Sequence, residues 1–157
     1  VQLAKSHSVM LVADSQSSSQ VGDISRFQEM DLITPTEREA RISTRNHEDG
    51  LVVLAETLRK QSSACNVLLK IGEEGLLIHA GKGMDEGWLT DRVCALNRAA
   101  RDVAGAGDSL LVGSALTLAS GGSIWESSVL GALAAAIQVG RVGNIPLQTK
   151  ELLKELQ

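Results

Sequence analysis

Short apolar runs alternate with segments of helical periodicity along this chain, and that alternation settles the fold class before any other feature is weighed. Val9–Ala13, Asp31–Thr34, Asn66–Ile71 and Leu76–Ile78 are each too short for a stable helix and too apolar for a solvated loop. They read as buried strands. Between them, Thr34 can cap and Pro35 can open a helix running through Glu37, Glu39 and Ala40. Leu51, Leu54 and Leu58 recur at helical spacing between His47 and Lys60. Gly72-Glu73-Glu74-Gly75 is a turn between two strands, Ser15–Gln20 and Gly81–Gly87 are loops, and Gln148–Leu156 closes the chain as a short amphipathic helix. Strands that alternate with helices bury a sheet beneath helical layers, so the expectation is an α/β layered fold whose sheet is mostly parallel but mixed rather than purely parallel.

Bulk properties exclude several functions. A chain of 157 residues can build one proper core. Its net charge is −4 and no Lys/Arg cluster stands out, which excludes a nucleic-acid footprint. One Phe, two Trp and no Tyr leave no stacking platform for single strands, and oblige the core to be aliphatic. Cys65 and Cys94 lie far apart without a CxxC spacing, and read as reduced thiols in or near the core. The longest apolar stretch, Val129–Val139, is broken by Gly131 and Gln138 and is too short for a bilayer. With no signal peptide, the expected location is the cytoplasm, with no membrane partner. Val1 is not a Met and leads at once into apolar-periodic sequence, as in a portion of a longer protein.

The segment with chemistry in it is Gly105-Ala106-Gly107-Asp108, followed by Leu110, Leu111, Val112, Ala115, Leu116 and Leu118. This is a glycine turn opening into an apolar helix, which Gly121-Gly122 ends. Ser123 can cap a second helix to Val139. Glycines at a helix start let backbone N–H groups approach a ligand, and those N–H groups have no partner within the helix. With the helix dipole they form a nest for a phosphate or a developing phosphoryl anion. Asp108, in the first turn, can take the proton of an attacking hydroxyl. Neither a Walker GKS/GKT sequence nor the third glycine of a dinucleotide fingerprint is present. The same residues suit a plain turn with a first-turn Asp. His7, His47 and His79 have no ligand spacing, and His47-Glu48-Asp49 reads as a helix start.

Asp102-Val103-Ala104-Gly105-Ala106-Gly107-Asp108 resembles the D-[TV]-[TV]-G-A-G-D signature of the ribokinase-like, or PfkB, carbohydrate kinases. Asp31–Glu39 resembles that family's strand-Pro-Asn-x-x-Glu segment, Val67–Gly75 its strand and glycine turn, and Ala134–Ala136 with Gly140–Gly143 its last helix and loop. The resemblance implies a three-layer α/β/α ribokinase-like, Rossmann-like sandwich, of which residues 1–157 would form the C-terminal, ATP-binding portion. The N-terminal substrate and lid half would lie outside it. It implies transfer of the ATP γ-phosphate to a sugar or sugar-phosphate hydroxyl with Mg²⁺, and in some relatives K⁺. It assigns Asp108 as the base and Gly105, Ala106 and Gly107 as the anion hole. Lys70, Gly72, Gly75, Gly140, Gly143 and Asn144 would face the nucleotide, with Leu130–Asn144 on the adenine side. Glu39 and Thr36 would serve magnesium, and Asp102 a monovalent cation whose other ligands include the Ala104 carbonyl. A homodimer is possible in this family.

Three departures matter. Thr36 replaces the asparagine of the Pro-Asn segment, Ala104 a common Thr, and Lys70 another. Ala95-Leu96-Asn97 and Val139–Gly143 look most like heptose-phosphate kinases. The alternatives are a nucleotide-binding module without activity of its own, a hydroxymethylpyrimidine- or pyridoxal-type kinase, and a dimerisation domain.

Overall fold

The computed structural model describes residues 1–15, 22–81, 89–97 and 99–157. The expected loops at Ser15–Gln20 and Gly81–Gly87 therefore fall largely outside the described residues, as do Met84 and Arg98. The chain divides into two compact units, Val1–Gly72 with Leu77–Arg92, and Glu73–Leu76 with Val93–Gln157.

The first unit is built on a sheet. After a short helix α1 (Gln2–Ser6) come β1 (Val12–Ala13), β2 (Leu32–Ile33), α2 (Glu37–Thr44), α3 (Leu51–Ser62), β3 (Asn66–Lys70), β4 (Leu76–Ala80) and β5 (Leu89–Val93). The strands lie in sequence order. β1 pairs parallel with β2, and β2 with β3, in the registers Val12–Leu32 and Leu32–Asn66. Five residues join β3 to β4, too few for a parallel crossover, so the sheet turns antiparallel there. The core is aliphatic: Ile24, Ile33, Leu54, Leu58, Val67 and Leu69 are fully buried. Full burial of such a side chain contributes roughly 1.5–3 kcal/mol, which is how a unit almost without aromatics is stable.

Several local expectations are corrected. Thr36, not Thr34, caps α2: its hydroxyl accepts the Glu39 N–H while the Glu39 carboxylate accepts the Thr36 N–H. Pro35 therefore sits before the cap, fully buried. His47–Asp49 does not start a helix. The Asn46 side chain accepts the Asp49 N–H and holds a turn there, and α3 begins after Gly50. Cys65 and Cys94 are free but exposed, not in the core. Val9 is exposed and outside β1, because only Val12 and Ala13 pair with β2. β5 was not visible in the sequence, since Asp91 and Arg92 are exposed and hide its strand pattern.

A buried polar network crosses this unit. Glu56 of α3 accepts from Arg59 Nε at 2.7 Å and bonds His79 Nε2 of β4 at 2.8 Å, with Lys60 Nζ at 3.3 Å. His79, fully buried, joins Thr90 of β5 through Nδ1 at 2.9 Å. Burial opposes the Glu56 charge, but the hydrogen bonds from Arg59, His79 and Lys60 prevail and hold its carboxyl down to about 2.

The second unit is helical: α4 (Ala106–Ala119), α5 (Ile124–Val139) and α6 (Thr149–Glu155). Ser123 caps α5 as expected, in a capping box with Glu126. α4 and α5 approach closely through small residues. A Cβ on Gly131 would lie 2.1 Å from Ser114 Oγ, and Ser114 and Ser127 exchange hydrogen bonds with each other's carbonyls. The last turn of α5 is tied to the segment before α4 separately, by Asn97 donating to the Ala136 carbonyl and the Arg101 N–H to the Val139 carbonyl.

Candidate functional site

Two clusters carry the candidate residues, one in each unit. In the first, parallel pairing brings the carboxyl ends of β1, β2 and β3 to one edge, where open α/β sheets bind ligands. Asp14 follows β1, Thr36 follows β2 and bridges to Lys70, and Lys70 ends β3. Lys70 Nζ binds both Asp14 oxygens, at 2.8 and 3.0 Å, with both side chains largely buried. Burial pushes the Asp14 carboxyl up and the Glu39 charge adds to this, while Lys70 opposes it. Glu39 is 2% exposed, so two carboxylates share a poorly solvated edge with one ammonium.

Lys70, expected to face phosphates, is paired with Asp14 in this structure. Thr36, expected to serve magnesium or simply to cap the helix, caps it. Asp14 itself was missed. Its only signal was an acid ending an apolar run at the carboxyl end of a predicted strand. Gly72 is exposed at a φ of 62°, with open space where a Cβ would be.

In the second unit the glycine turn is built as the sequence predicts. Gly105 is the N-cap of α4 with φ 74°, and a Cβ there would meet Asn144 Oδ1 at 2.3 Å. Glycine is required on both counts. The Ala106 N–H donates to Val103 and the Ser109 N–H to Gly105. Among the described residues the Gly107 and Asp108 N–H groups have no acceptor, so the two donors at the dipole's positive end are available. The Asp108 side chain is exposed in the first turn of α4 and has no ion pair among the described residues.

The loop before α4 is tied to the loop after α5. Asp102 accepts the Ala104 N–H through Oδ1 and the Gly143 N–H through Oδ2, both at 2.9 Å. These bonds hold its carboxyl below the usual carboxylate range. The Arg101 N–H, next in the chain, donates to the Val139 carbonyl at the end of α5. Gln138, 1% exposed, donates from Nε2 to the carbonyls of Ala104 at 3.1 Å and Gly143 at 2.9 Å. Sequence reading treated Gln138 only as a polar break in an apolar helix.

Gly140 caps α5 beside Asn97, and Gly143 and Asn144 line the turn at Gly105. Gly75 has a structural reason to be glycine: at φ 101°, its Cβ would strike Val93 O at 2.2 Å. Among the described residues no three His, Cys, Asp or Glu side chains group as a metal cluster, and no helix is long and apolar enough to cross a membrane.

A mostly parallel sheet with covering helices and a glycine turn that opens a helix define an α/β protein of the ribokinase-like kind. The pattern of the pfkB family carbohydrate kinases matches residues 1–150, and the chain belongs to that family. It is 28% identical over 158 residues to a bifunctional protein HldE of Shewanella baltica, covering 99% of this chain and 31% of that protein. Its fold superimposes on Arabidopsis thaliana ribokinase complexed with ribose and ATP (TM-score 0.80, 23% identity), covering 99% of this chain and 50% of that one. It also matches Escherichia coli phosphofructokinase-2 in complex with potassium (TM-score 0.76, 17% identity), covering 98% and 48%. The chain thus spans about a third of the curated relative and about half of each structural neighbour.

Proposed function

We propose that these residues carry the nucleotide side of an ATP-dependent kinase that phosphorylates a hydroxyl of a sugar or sugar phosphate. The observation that supports this best is the Gly105–Asp108 turn. Among the described residues, two N–H groups without an acceptor lie beside an exposed carboxylate with no ion pair, at the positive end of a 14-residue helix. Phosphoryl transfer asks a protein mainly for positioning and charge stabilisation. The Gly107 and Asp108 N–H groups meet the charge that develops on the transferred phosphoryl group, and Asp108 takes the proton of the attacking hydroxyl.

Mg²⁺ fits the first cluster. It is commonly held by one or two carboxylates with substrate phosphates and water. Asp14 and Glu39 supply two carboxylates whose mutual repulsion a cation would relieve. The ion would neutralise phosphate charge. These residues would orient it, Glu39 held in place by its bond to Thr36 and Lys70 free to exchange Asp14 for a phosphate oxygen. A monovalent cation held by the Ala104 and Gly143 carbonyls would have to displace the Gln138 NH₂, which already faces both.

The resemblance of Ala95-Leu96-Asn97 and Val139–Gly143 to heptose-phosphate kinases favours a heptose phosphate as acceptor class. The acceptor contacts would come from the part of a full-length relative that this chain does not span, so the chain alone binds nucleotide without turning over. The test is phosphate transfer from Mg·ATP to a panel of sugars and sugar phosphates, in a protein of the relatives' length carrying these residues. Asp108→Asn lowers turnover by at least about 10²-fold and leaves ATP affinity nearly unchanged. Near-normal turnover in that variant overturns the assignment.

A further inference from the structure

We infer that the Gln138 side-chain amide occupies the position of a monovalent cation, so that this nucleotide-side loop is locked without K⁺. Ala104 and Gly143 present carbonyl oxygens that only accept, so the atom facing both must be the NH₂ of the amide. On their other sides the same two residues give their N–H groups to the Asp102 carboxylate. One carboxylate and one NH₂ therefore clamp Ala104 and Gly143 by both their N–H and their C=O, and join the segment entering α4 to the loop leaving α5.

Two carbonyl oxygens that face one point are hard-oxygen ligands of the kind an alkali cation takes. Here the partly positive N–H hydrogens of Gln138 supply that attraction from within the chain. Packing alone does not account for the residue. Gln138 is buried, and its Oε1 has no hydrogen-bond partner among the described residues. A buried acceptor without a donor is costly, so the two bonds from Nε2 are what the residue contributes. Gly105 follows Ala104 directly, and Asn144 follows Gly143 and touches the Gly105 backbone. The clamp thus sets the geometry of the anion nest, and Gln138 is a positioning residue for it.

The inference rests on the kinase reading only for the expectation that a cation belongs here, and its test does not depend on catalysis. The melting temperature of this chain is measured in KCl and in tetramethylammonium chloride at matched ionic strength. The wild-type value is the same in both salts. Gln138→Ala removes both bonds and opens an oxygen-lined hole, so it melts roughly 3–8 °C lower in tetramethylammonium. It recovers at least half of that loss, saturably, in K⁺. Gln138→Met, which fills the space without a donor, is lowered alike in both salts. A saturable K⁺ stabilisation of the wild type overturns the inference, and that measurement needs no variant. So does a Gln138→Ala protein that folds but is indifferent to K⁺.

Discussion

Replacing Glu56 by Gln isolates the charge of the buried network in the first unit while preserving its shape. The Glu56 carboxyl is lowered from 4.5 to about 2 in the folded chain. A depressed carboxylate stabilises the fold above its unfolded pKa and loses that contribution as pH falls through the folded one. The full shift corresponds to roughly 3 kcal/mol near pH 7, most of which is lost by about pH 2. Lys60 is exposed, so solvent screening makes this an upper figure. Glu56→Gln also strands Arg59 and His79 opposite a neutral amide, the costly way to break a buried pair. The assay is urea unfolding of both proteins at a series of pH values. The wild-type advantage is about 3 kcal/mol near pH 7 and narrows by more than half by about pH 3. An advantage that stays constant across that range refutes the charge argument and leaves only a packing effect.

Other consequences can be measured in the same way. Gly131→Val forces a side chain into the contact with Ser114 and the Leu110 carbonyl and costs roughly 1–3 kcal/mol, read from the urea midpoint. Gly105→Ala places Ala in the left-handed region at about 1–2 kcal/mol. It also collides with Asn144, so adding Asn144→Gly recovers the collision but not the backbone strain. Asp14→Asn weakens Mg²⁺ affinity in the presence of ATP by about 10–100-fold, measured by titration, if Asp14 orients the hydrated ion as proposed.

Much of the fold was legible because its signals are local. The runs at Asp31–Thr34 and Asn66–Ile71 became β2 and β3, and Ser123 capped α5, since apolar period and capping chemistry act within a few residues. The Gly105–Asp108 turn was legible for the same reason: both the left-handed φ and the helix opening are encoded in four consecutive residues. What escaped the sequence depends on pairing across distance. Lys70 could be placed at the end of a strand, but its partner Asp14, 56 residues away, is set by parallel register and could not. Gln138 looked like an interruption of an apolar helix, because its partners Ala104 and Gly143 are backbone carbonyls that no side-chain pattern reveals. His79 and Glu56 were hidden likewise, a buried pair formed between a strand and a helix.

The nucleotide site is tested most directly by calorimetric titration of this chain with Mg·ATP, alongside Gly107→Asp and Asp108→Asn. Gly107→Asp sets a carboxylate among the free N–H groups at the start of α4, whereas Asp108→Asn removes a proton acceptor and leaves those donors in place. The account predicts that the wild type and Asp108→Asn bind, while Gly107→Asp, shown by circular dichroism to be folded, does not. Equal binding by all three proteins, or none by the wild type, contradicts the assignment of the nucleotide to this turn.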